Sequence, residues 1–181
     1  MTITMEVGMH KMSSFTKEIN SYLNPNNCIF LKDLVKNPRF LPNANGLYIV
    51  QVPHNIISVN FLNTTTAPII WKGESTVVNK NFLSDKFNQG DKSTVYIGSA
   101  HHIKGNGLKS RVAQFIKYGT NYMSKSGKPA SHNGGCYLWQ IENWGELLLY
   151  WYETEDSKAI ERKLLNLYVD EYGVLPLANR V

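Results

Sequence analysis

The chain has 181 residues, 43% hydrophobic and 18% charged, which suits one ordered domain with a real core and excludes a disordered polymer. No apolar run approaches the roughly 20 residues needed to span a bilayer, and two cysteines, Cys28 and Cys136, are too few for a disulfide framework. The net charge of +5 is unevenly spread: Lys92 to Ile141 holds seven basic residues and no Asp or Glu, whereas the rest holds 12 basic and 14 acidic groups. Such a block is either a solvated basic face or the footprint of a polyanion site. The opening "MTITMEVGMHKM" lacks a basic region followed by an apolar one, so no secretion leader is expected and a cytoplasmic location is.

In chain order, "SSFTKEINSYL" reads as a helix, with capping serines and Phe15, Ile19 and Leu23 at four-residue intervals. "NPNN" breaks it, and "CIFLKDLV" resumes the helix. "GLYIVQV" is a strand. Residues 53–92 form an insertion with a short helix near "NKNFLSDKF". "TVYIGSA" is a second strand, followed by the basic loop "HHIKGNG" and the helix "LKSRVAQFIKYG", which Gly119 ends. "TNYMSKSGKPASHNGG" reads as a surface loop. "CYLWQIE" and "ELLLYWYET" read as a hairpin joined at "NWG". "EDSKAIERKLLNLYVDEYG" is a helix capped by Asp156 or Ser157 and ended by Gly173, and "VLPLANRV" is extended. The predicted fold class is α+β, a small, mainly antiparallel sheet flanked by helices.

Two of these helices carry a charge on the face that should be apolar. Glu161 shares a stripe with Leu164, Leu165, Tyr168 and Tyr172, and Arg111 shares one with Leu108, Phe115 and Tyr118. The bland reading is that both snorkel to water at the stripe edge. The functional reading is coherent. One carboxylate can anchor a hydrated Mg²⁺, and an arginine can hold phosphate oxygens bidentately. A tyrosine can move a proton from an attacking water if nearby cations lower its pKa.

Together, "GLY" at 46–48, "YIG" at 96–98, "LKSRVAQF", "AIERKLL" and "LPLANR" occur in an order that resembles the GIY-YIG nuclease family, in particular its small stand-alone bacterial members. The likeness spans residues 42–180. The chain then divides into an N-terminal helical or extended segment (1–41), which the likeness does not reach, and a nuclease domain (42–181) with an insertion at about 53–92, packed as one unit. The likeness implies that Tyr48, Tyr96, Arg111, Glu161 and Asn179 meet at one concave face. Glu161 would hold a single Mg²⁺ or Mn²⁺, a tyrosine would help activate water, and Arg111 would contact the scissile phosphate of DNA. Asn179 would shape the site by hydrogen bonding, and the motif glycines Gly46 and Gly98 would permit close backbone approach. Lys104, Lys109, Lys117, Tyr118, Lys125, Lys128 and His132 are the expected DNA contacts.

The chain departs from the family pattern in three ways, one of them an interval from Glu161 to Asn179 stretched by "YGVLP". Residues 49–95 separate the motif tyrosines, a longer interval than the family's usual one, and Phe115 stands where the family often has His or Tyr. Tyr118 or His132 would have to substitute for that side chain. A nucleic-acid-binding module with weak or no catalysis, or a domain whose basic loop docks an acidic protein, are the alternatives.

Overall fold

The computed structural model describes residues 12–71, 73–101, 107–127, 130, 132 and 134–180. Helix α1 (Ser14–Asn20) starts where predicted: the Ser13 hydroxyl accepts from the Thr16 amide, and Phe15 and Ile19 are buried. The next segment differs from expectation. Cys28–Phe30 is a short strand, β1, and only Leu31–Lys36 is helical (α2). The reason is tertiary, because residues 28–30 pair with Leu148–Tyr150 and this overrides the local helical pattern.

Strand β2 (Gly46–Gln51) is buried throughout. The insertion holds a two-stranded ribbon, β3 (Ile70–Trp71) with β4 (Glu74–Ser75), and the expected helix α3 (Lys80–Gln89). Strand β5 (Thr94–Ala100) and helix α4 (Gly107–Gly119) follow as predicted. Gly119 is the last helical residue rather than a cap, and its missing Cβ makes room for the Trp139 indole.

The predicted hairpin does not form. Cys136–Gln140 is a 3₁₀ turn entered through Gly135, which has a positive φ of 74°. Only Leu148–Glu153 is a strand, β6. Both edges of β6 are already taken, by β1 and β2, so residues 136–141 have no place beside it. Buried Gln140 instead ties down the insertion: it accepts from the Val78 amide and donates to the carbonyls of Leu62 and Val78. Helix α5 (Ser157–Tyr172) ends at Gly173 as expected, but Asp156 at its N-cap makes no side-chain capping bond.

The main sheet has the order β1-β6-β2-β5, and every pairing is antiparallel, so the α+β class is as predicted. Strand alternation sends Tyr48, Val50 and Tyr96 to the face covered by α2, α3 and α4. Leu47, Ile49 and Ile97 face α1 and α5. Strand β5 is at the end of the sheet, and the C-terminal tail covers its outer edge. The Ala178 amide donates to the Val95 carbonyl, and the Asn179 side chain accepts from the Ile97 amide (3.0 Å) and donates to the Ile97 carbonyl (2.7 Å). Asn179 thus does the work of a missing neighbouring strand. Asn179→Ala leaves both Ile97 groups unpaired at a buried edge, with an expected loss of about 2–4 kcal/mol in urea unfolding.

Candidate active site

The site begins with register. In the β2–β5 pair, Tyr48 lies opposite Gly98 and Val50 opposite Tyr96. The Tyr48 phenol crosses directly over Gly98, where an added Cβ would stand 2.6 Å from Cζ and 2.8 Å from the hydroxyl oxygen. Glycine therefore opens a passage for the phenol toward the outer edge of the sheet. Gly46 permits a close approach of another kind: a Cβ there would meet Leu108 of α4 and the Tyr152 carbonyl.

Phe115 holds both tyrosines in place. Its ring is stacked on Tyr96, with centroids 5.6 Å apart, and tilted against Tyr48 at 6.2 Å; the two tyrosine rings are 5.7 Å apart. The Tyr96 hydroxyl lies against Gly134, where a Cβ would collide with it.

Arg111 on α4 and Glu161 on α5 come from opposite faces of the sheet, and both are half-buried. Ser99, next to Gly98 but on the α5 face, donates its hydroxyl proton to Glu161 Oε2 at 2.5 Å. Arg111 and Glu161 are each close enough to act electrostatically on Tyr48 and on Tyr96. Among the described residues, no ion pair joins Arg111 and Glu161. Both charges therefore act on the phenols without forming a direct ion pair with each other.

The condition for a tyrosine base, a pKa lowered by nearby cations, is not met. Burial raises Tyr48, outweighing the opposing pull of Arg111 and Tyr96, and Glu161 adds to the rise. Burial also raises Tyr96 well above its ordinary value, helped by Tyr48. The Tyr48 hydroxyl is fully buried; Tyr96 and Arg111 both approach it closely enough to act on it, but neither meets the geometry of a hydrogen bond.

The expected DNA contacts divide into three groups. Lys109 and Lys117 are half-buried on the outer side of α4, and Lys125 is exposed. Lys104 and Lys128 lie outside the described residues. Tyr118 and His132 are corrections, since both are buried, at 1% exposure, and do not reach a DNA backbone in this conformation. The Gly/Ser-rich composition around His132 suggests surface, but its imidazole packs edge-on against Phe115 with centroids 5.1 Å apart.

Neither His132 ring nitrogen is hydrogen-bonded, and burial, then the charge of Arg111, push its pKa down to about 3. The unfolded chain therefore binds more protons than the folded one between the ordinary value of 6.5 and about 3. Stability should fall as the pH drops through that window. His132 alone is expected to remove about 2 kcal/mol between pH 6.5 and 5, a slope that His132→Leu should lack in urea unfolding.

Among the described residues, no group of three or more His, Cys, Asp or Glu gathers as a metal cage. The described residues here that could hold a metal come down to one part-buried carboxylate, Glu161, held by Ser99 and close enough to act on the phenols, a donor that would suit a hard divalent ion keeping most of its waters. Ser99 is the site residue that sequence reasoning missed. Strand alternation from Ile97 puts it on the α5 face, so the signal was present. Compared with known proteins, the chain matches no family model, no curated protein and no solved structure.

Proposed function

We propose that the protein is a cytoplasmic, divalent-metal-dependent endonuclease of the GIY-YIG type that hydrolyses DNA phosphodiester bonds. One observation carries this reading: the buried, unbonded Tyr48 hydroxyl lies within the influence of both Arg111 and Glu161. A buried hydroxyl without a partner costs about 1–3 kcal/mol. A fold that keeps one beside a cation and an anion that form no direct ion pair is organised around a group that arrives with the substrate.

In this reading Arg111 grips the non-bridging oxygens of the scissile phosphate and stabilises the charge that develops on them. Glu161, aimed by Ser99, would hold Mg²⁺ or Mn²⁺, which when bound supplies Lewis-acid polarisation and lowers the pKa of a coordinated water. Tyr48 stays protonated at neutral pH, and because its hydroxyl is buried in the free protein it would serve as a hydrogen-bond donor to the attacking water or a phosphate oxygen only once substrate opens a path to it. Phe115 fixes the ring and carries no proton, so removal of the proton from the attacking water falls to solvent.

Incubation with supercoiled plasmid and Mg²⁺, with and without chelator, tests the proposal, and chelator-sensitive nicking is expected. The raised pKa values of both tyrosines favour a second reading, a nucleic-acid-binding module, because neither phenol is a ready base. Salt-sensitive DNA binding with no nicking would select that alternative. No described helix is long and apolar enough to cross a membrane.

A further inference from the structure

The loop between α2 and β2 docks on the first turn of α4. The Leu108 amide donates to the Ala44 carbonyl at 2.8 Å, and the Lys109 amide donates to the Pro42 carbonyl at 3.1 Å. This fixes the loop against the helix and carries Arg39, which precedes the basic block in sequence, to the outer side of α4. There Arg39, Lys109, Ser110, Ala113, Gln114 and Lys117 line a cavity of about 360 Å³.

The lining holds three cations and no carboxylate, and none of the three enters an ion pair among the described residues. Three like charges around one hollow repel each other, and an anion seated between them relieves that repulsion. Ser110 and Gln114 add neutral hydrogen-bonding groups. Two of the leading helix amides are already spent on Pro42 and Ala44, so the attraction for an anion comes from side chains. At about 100° per residue, Gln114 lies between Lys117 and Arg111 around the helix, so Arg111 neighbours one edge of the cradle.

We propose that this cradle binds a DNA backbone phosphate flanking the scissile one, with Arg39 as the residue that fixes it. The identity of the polyanion rests on the nuclease reading. A labelled duplex titrated in chelator over a salt series, for wild type, Arg39→Ala, Arg39→Lys and Lys17→Ala, tests it. Lys17 is exposed on α1, across the sheet, and controls for loss of one charge.

Arg39→Ala should weaken binding about tenfold and reduce the slope of log affinity against log salt by about 1. Arg39→Lys should keep the slope, and Lys17→Ala should match wild type. If Arg39→Ala behaves like Lys17→Ala while wild type still binds and nicks DNA, the cradle is overturned and the nuclease reading stands. Arg39-dependent duplex binding without nicking supports the cradle and removes only the catalytic part of that reading. Arg39-dependent binding of inorganic phosphate with an Arg39-independent duplex slope assigns the cradle to a free anion and overturns it. No duplex binding by wild type overturns both.

Discussion

Tyr48→Phe is expected to stabilise the fold and to remove most of the cleavage activity. The substitution keeps the ring, so its packing against Tyr96 and Phe115 and its passage over Gly98 are unchanged. What disappears is a hydroxyl that was stripped of water on folding and given no hydrogen bond in return. Removing it should raise stability by up to about 1 kcal/mol, an increase of a few degrees in Tm for a chain of this length. Cleavage should fall about 10²–10³-fold, the range for losing one positioned hydrogen-bond donor. The opposite signs make the experiment decisive. A hydroxyl kept for structure would give lower stability and unchanged cleavage. Nicking within about twofold of wild type would take Tyr48 out of the reaction.

The parts of this site that were legible in the sequence are those that break a periodic pattern. Arg111 and Glu161 each interrupt an apolar helix stripe, and the two helices formed where their patterns placed them. The passage over Gly98 was not legible, because it depends on the β2–β5 register setting Tyr48 opposite a glycine 50 positions away. The false hairpin has the same origin. "CYLWQIE" has strand composition, but a strand needs a free edge, and β6 offers none. His132 shows the limit of reading a loop by composition, since its burial is set by Phe115 on a helix that precedes it. Arg39 is the converse case, an ordinary loop residue that two backbone hydrogen bonds turn into a neighbour of Lys109. The sign of the tyrosine shifts was beyond reach too, because it is a contest between burial and Arg111 that only the packed structure decides.

Glu161→Ala should abolish Mg²⁺-dependent nicking, by at least about 10³-fold, while leaving DNA affinity within a few-fold of wild type or slightly raised. Affinity survives because the binding charges are the cations of α4, Arg111 included, and removing a carboxylate near the site lessens repulsion of the DNA backbone. Stability should change little. Glu161 is half-exposed, it joins no ion pair among the described residues, and Ser99 is its one hydrogen-bond partner there. Ser99→Ala makes the argument quantitative. It leaves the carboxylate in place but frees it from the bond that aims it, so the expected loss is about 10–100-fold and should appear as a higher Mg²⁺ requirement, with activity partly recovered at saturating metal. A purely structural Ser99 would instead lower Tm and leave the metal dependence unmoved. Unchanged nicking by Glu161→Ala would remove the metal site from α5 altogether.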